Sequence, residues 1–154
     1  MEYPIKVFEI KGYGNECIKL EIAETFGFPD ETSFRGGYDV RCSLDITVGI
    51  YTAHTDHYYS STSALYNFYI ALQNCYDTLN GKAIYAVPMA ENDLTMEVLF
   101  NKGKVEIKGQ YRDNLAESTS LLFEFVSDQS YFSEVLRDLK KVVLAFGDNK
   151  GINK

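Results

Sequence analysis

Between Val40 and Val48 every second residue is apolar. Val40, Cys42, Leu44, Ile46 and Val48 share one parity, and Arg41, Ser43, Asp45 and Thr47 hold the other. Successive side chains of a strand point to opposite faces, so this run buries one face of a sheet and wets the other. A strand covered on both faces would read as a continuous apolar run, so its neighbours are expected to be antiparallel. The period then changes. Leu65, Phe68, Leu72, Cys75 and Leu79 step by three and four, which predicts a helix over Ser63–Leu79. Ser61, Thr62 or Ser63 supplies its N-cap, and Asn80-Gly81 the left-handed residue that ends it.

The remaining segments follow the same two periods. Ile5–Lys11 and Cys17–Phe26 read as strands joined by a turn at Gly12-Tyr13-Gly14-Asn15, and Gly27–Gly37 reads as a loop. Thr52–Tyr59 either extends the central strand or pairs with it. After the helix come strand signals at Lys82–Val87, Leu94–Phe100, Lys104–Tyr111 and Ser120–Val126. The turns between them are Glu91-Asn92-Asp93, Asn101-Lys102-Gly103 and Asp113–Ser118. Connections this short make a meander. Ser130–Phe146 closes the chain as a second helix, capped by Asp128 or Ser130 and stopped by Gly147. The expected fold is α+β: an antiparallel β-sheet of N-terminal strands plus a four-strand meander, with two helices packed on it.

Charge and composition exclude several functions. The chain has 154 residues, 45% of them apolar, enough for a real core. Its net charge of −7 disfavours nucleic acid and anionic membrane surfaces, both of which are held through clustered Lys and Arg. A basic protein is the partner that such a charge steers. Cys17, Cys42 and Cys75 are odd in number and form no CxxC pair, which points to reduced thiols, a reducing compartment and a cytoplasmic location. The N-terminus shows no secretory signal, and apolar runs fall far short of a membrane span.

No catalytic constellation gathers. His54-Thr55-Asp56-His57 resembles a metal site only if it forms a turn, because on a strand the two histidines point to opposite faces. Gly36-Gly37 enters a strand rather than a helix, so there is no phosphate loop. No enzyme activity, metal or cofactor is expected. The informative features are surfaces. In the meander, Glu97, Glu106 and Glu124 are candidates, depending on register, for the face opposite Met96, Val98 and Phe100, as part of a partly acidic platform. Tyr58, Tyr59, Tyr66 and Tyr69 belong to a tyrosine-rich stretch, and Tyr is enriched at recognition surfaces. These seven residues are the candidate partner-binding set.

A family resemblance gives the surface a candidate partner. Gly36-Gly37-Tyr38 with Leu44, Ile46 and Val48, Leu65-Tyr66-Asn67-Phe68-Tyr69, Leu72, Cys75-Tyr76, Leu79 and Gly81 carry its first half. Val105, Gly109, Leu122-Phe123-Glu124-Phe125 and Asp128-Gln129-Ser130-Tyr131 carry the second. Over Gly36 to Val143 the chain resembles the WapI-type immunity proteins. The resemblance implies a small cytoplasmic bacterial protein that binds and neutralises a cognate toxin domain without catalysis. It carries over no binding residues. The expected organisation is one domain over 1–147, with N-terminal strands and loop in 1–35, a family-like core in 36–146 and a polar tail in 148–154. Two other readings stand beside it: a small-molecule-binding module with a pocket between sheet and helices, and a structural or scaffold subunit. The oligomeric state is left open.

Overall fold

The alternation of Val40 to Val48 produces a ten-residue strand, Asp39–Val48, with Val40, Cys42, Leu44 and Ile46 buried and Val48 half-buried at its end. In chain order the elements are β1 (Ile5–Lys11), β2 (Cys17–Thr25), β3 (Asp39–Val48), β4 (Tyr51–Ser61), α1 (Thr62–Thr78), β5 (Asn80–Tyr85), β6 (Asp93–Asn101), β7 (Lys104–Arg112), β8 (Ser120–Asp128) and α2 (Phe132–Phe146). A single 3-10 turn, Gln129–Tyr131, precedes α2. The structure is a computed structural model that describes residues 2–87, 93–113 and 119–152. The expected turn residues Glu91, Asn92 and 114–118, and the last two residues of the tail, lie outside the described residues.

The antiparallel α+β class stands, but the expected single sheet divides in two. β1-β2-β3-β4 form one four-stranded sheet and β5-β6-β7-β8 another, both in sequence order. The division follows from α1: a 17-residue helix between β4 and β5 removes the short connection that would have let them pair. The inner faces of both sheets and the apolar stripes of both helices share one core. Phe8 of β1, Phe68 of α1 and Tyr85 of β5 meet edge to face there, with ring centroids 5.7 to 6.2 Å apart.

Each strand pair of the first sheet carries a register shift, beside Lys6/Phe8, Ile22/Glu24 and Cys42/Leu44. The third decides which tyrosine is outside. Cys42 pairs with Tyr58 and Leu44 with Thr55, so Asp56 and His57 together oppose Ser43. The extra residue reverses the parity of β4. Ala53 and Thr55 face the core before it; Tyr58 and Ser60 do after it. In the second sheet all three pairings run without a shift.

The helix ends differ from expectation by small, explicable amounts. Ser61 is the N-cap of α1, its Oγ accepting from Ala64 N–H at 3.2 Å. The left-handed C-cap is Leu79 (φ 57°), not Asn80 or Gly81. Pairing of β5 with β6 already begins at Asn80 opposite Asn101, and Lys102 N–H donates to Leu79 C=O, so the helix stops one residue earlier. Asp128 Oδ2 accepts from Ser130 N–H at 3.0 Å and caps the 3-10 turn rather than α2 itself. The tail does not simply trail. Gly37 N–H donates to Asn149 C=O at 2.8 Å and Ile152 N–H to the Tyr38 hydroxyl at 3.3 Å, which pins the loop before β3.

Gly109 in β7 tests the packing of the second sheet. A Cβ there would overlap the Phe123 ring and come within 2.9 Å of Thr95 C=O. Gly109→Ala is expected to cost about 1–3 kcal/mol by overpacking. In denaturant titrations the cost should shrink when Phe123→Leu is also present, as coupled neighbours require. An additive pair would refute this account.

Candidate partner-binding surface

β6 and β7 bury Met96, Val98 and Phe100 against Gly109, Ile107 and Val105. The opposite parity is therefore thrown outward. Glu97, Glu106 and Glu124 all lie on this outer face, as the sequence places them. Each has a lysine beside it: Lys82–Glu97 at 3.6 Å, Lys104–Glu106 at 3.7 Å and Lys108–Glu124 at 4.0 Å. These six charges cancel, and each pair is exposed and worth at most about 1 kcal/mol. The face is charge-laced rather than acidic.

Three aliphatic side chains share it. Leu122 is 72% exposed, Ile84 54% and Leu99 39%. Sequence reasoning missed them because each sits inside an apolar run: Ala83-Ile84-Tyr85, Val98-Leu99-Phe100, Leu121-Leu122-Phe123. The available signal was parity, since all three occupy the outward phase of their strands. A shallow depression of about 320 Å³ lies among Ile84, Thr95, Glu97, Lys108, Gln110 and Leu122.

The tyrosines do not join this face. Tyr58 is fully buried, a correction to the expectation that its ring lies on the surface. The bulge in β4 turns it inward, where its hydroxyl and that of Tyr85 are 2.9 Å apart; Ser60 Oγ lies 2.6 Å from the same Tyr85 oxygen. Tyr59 is exposed on the outer face of the first sheet, opposite Arg41. Tyr66 and Tyr69 are half-buried on α1, and Tyr69 packs against the core. The seven candidates thus fall on three separate parts of the fold.

His54 stands on β4 beside two carboxylates. Its Nδ1 is 2.5 Å from Asp45 Oδ1 and its Nε2 3.3 Å from Asp56 Oδ1. Those contacts, with Asp45 first, raise its pKa above the ordinary 6.5; Asp56 is held low by Ser43 and then by His54. Among the described residues no group of three or more His, Cys, Asp or Glu is gathered as a metal would require. Burial, reinforced by Glu9, pushes the Cys17 thiol up to about 11, and burial raises Cys42 and Cys75 as well. None is a poised nucleophile. No helix among the described residues is long and apolar enough to cross a membrane.

The family model of the immunity protein WapI-like family matches residues 9–147. The match takes in the first sheet almost from its start, beyond the Gly36–Val143 span in which the sequence patterns carry the resemblance. No curated protein matches the chain. Among solved structures, a chain of the CdiA-CT/CdiI toxin and immunity complex from Enterobacter cloacae is similar over 77% of this chain and 98% of that one. The identity is 12% and the TM-score 0.43, a likeness too weak to carry functional weight.

The contacts of His54 are open to direct measurement. NMR titration should place its pKa above 6.5, and Asp45→Asn should bring it back down. Because the folded value is raised, its contribution to stability is complete below the unfolded value and is lost as pH rises through the folded one. A His54 that titrates at its ordinary value would refute the pairing.

Proposed function

We propose a function from one premise: the chain belongs to the immunity protein WapI-like family, whose model matches it from residue 9 to residue 147. It is an immunity protein that neutralises a toxin, and that family match is the observation that carries the conclusion. The family implies a non-catalytic inhibitor. In our reading the protein acts in the cytoplasm, performs no chemistry of its own, and blocks a basic toxin domain by occupying its surface. The net charge of −7 supports a basic partner through long-range steering.

The contact surface in this reading is the outer face of β5–β8. Ile84, Leu99 and Leu122 supply apolar area between Glu97, Glu106 and Glu124. Exposed ion pairs are easily rearranged, so a partner's Lys or Arg can displace Lys82, Lys104 or Lys108 at little cost. The first sheet's outer face offers no comparable aliphatic group among the described residues: its cross-strand rows run Glu9-Lys19-Asp45-His54 and Lys6-Glu21-Ser43.

The test is calorimetric titration against the toxin domain encoded beside this chain, with toxicity scored in cells with and without the protein. Binding and protection are expected, with an association rate that falls as salt rises. Leu122→Ala should cost about 1–2 kcal/mol of binding energy, and Glu97→Lys with Glu106→Lys should slow association. Tyr59→Ala, Tyr66→Ala and Tyr69→Ala should each stay within about 0.5 kcal/mol. Losses of about 2 kcal/mol or more confined to the tyrosines would move the contact to α1 and the first sheet. No binding at micromolar concentration and no protection would overturn the function itself.

A further inference from the structure

The two sheets do not close, so they leave four edge strands: β1, β4, β5 and β8. An edge strand presents unpaired N–H and C=O groups, and proteins blunt such edges with bulges, charges, short length or a covering helix. β1 carries a bulge and two lysines, and α2 packs against it, with Asp138 3.6 Å from Lys6. β4 carries the bulge at Asp56-His57. β5 is six residues long and α1 lies against it. β8 has no bulge and no covering helix among the described residues, and its only charges are the carboxylates of Glu124 and Asp128. It runs nine residues, Ser120–Asp128, in unbroken register with β7, and holds no Lys, Arg or Pro. Among the described residues its open side has no backbone partner. The first sheet meets β8 at its inner face and its C-terminal end: β3 approaches it, Ser127 Oγ donates to Lys11 C=O, Phe125 sits against Gly12, and the Tyr13 hydroxyl donates to Asp128 Oδ1 at 3.5 Å.

We infer that β8 is the docking edge for the toxin, which adds an extended strand of its own to the second sheet. The inference rests on the immunity reading and deepens it by naming the mode of contact. Main-chain hydrogen bonds along the edge supply affinity, and alternate side chains supply selectivity. The outward side chains of β8 read apolar, acidic, apolar: Leu122, Glu124 and the half-buried Val126. Among the described residues Glu124 pairs with Lys108 at 4.0 Å, with 65% of its side chain exposed. The complementary strand carries a Lys or Arg between two apolar residues, which sets the basic group opposite Glu124. Such a strand also continues the outer face on which Ile84, Leu99 and Leu122 lie. The occupant is thus the basic partner that the overall charge steers in.

Hydrogen exchange on the full chain, alone and with the toxin domain encoded beside it, tests this directly. Amides of Ser120 to Val126 should slow at least tenfold in the complex. Leu122→Lys and Val126→Lys, gatekeeper charges on the edge, should each weaken binding tenfold or more with an unchanged melting temperature. Thr52→Lys on the edge strand β4 should leave binding unchanged. Binding that survives both lysines, with no new protection in β8, would overturn strand addition while leaving the immunity function in place. Absence of any binding by the unmodified chain would overturn both. Concentration-dependent protection of β8 in the protein alone, with a dimer by sedimentation, would make a second copy the occupant and overturn the inference.

Discussion

Tyr85 is the point at which the two halves of this molecule are tied together. Its ring meets Phe8 of the first sheet and Phe68 of α1 edge to face, at 6.2 and 5.7 Å. Its hydroxyl lies 2.9 Å from that of Tyr58 and 2.6 Å from Ser60 Oγ, both on β4. Each edge-to-face pair adds about 0.5–1.5 kcal/mol beyond burial, and an unpartnered buried hydroxyl would cost about 1–3 kcal/mol. One side chain thus joins β5 to β1, β4 and α1. Each sheet is a complete meander by itself. Other polar ties lie at the far end of the seam between the halves, where Ser127 Oγ of β8 donates to Lys11 C=O and the Tyr13 hydroxyl to Asp128 Oδ1.

The junction also explains why a tyrosine expected at the surface is inside. Tyr58 and Tyr59 are indistinguishable in sequence, and simple alternation from Val40 gives no reason to bury one over the other. The bulge at Asp56-His57 makes the choice, and the Tyr58–Tyr85 hydroxyl contact holds it. A bulge depends on tertiary pairing, so no local pattern announces it. The same holds for the division into two sheets, which depends on what α1 separates, and for the C-cap at Leu79, which depends on where β5 meets β6. What was legible was everything governed by a single period: the strands from their alternation, both helices from their stripes, the meander from its short turns. Glu97, Glu106 and Glu124 were placed correctly for that reason, because the second sheet has no bulge to disturb the count.

The candidate surface was only half legible, and the missing half is apolar. Parity identifies outward positions, but Ile84, Leu99 and Leu122 disappear inside apolar runs that look like core. Their exposure matters because exposed ion pairs contribute little by themselves. A face made only of Glu–Lys pairs is a well-solvated surface. A face on which three aliphatic side chains interrupt those pairs has area to lose to a partner and charges to select it. The −7 charge acts differently: spread over the chain, it raises the encounter rate with a basic protein without choosing where that protein lands.

The two sheets solve different problems, and their registers record it. The first sheet takes a shift in every strand pair, and bulges bend and twist the strands that contain them. That curvature lets four strands fold over a core they share with two helices. It also spoils the edge at β4, since a bulged strand cannot continue a regular ladder. The second sheet keeps its register across all three pairings, so no bulge interrupts the alternation of its outer face or the ladder of its last strand. Gly109 belongs to this design: with no side chain there, the Phe123 ring of the neighbouring strand occupies the space that a Cβ would take. Regularity leaves β8 open to unwanted pairing, a liability that the other three edges avoid by bulge, shortness or a covering helix. An immunity protein meets its toxin as a matter of function, and an edge kept regular and free of basic residues is suited to a basic strand. The shifted registers of one sheet and the unbroken register of the other are therefore parts of one arrangement around a core that both sheets line.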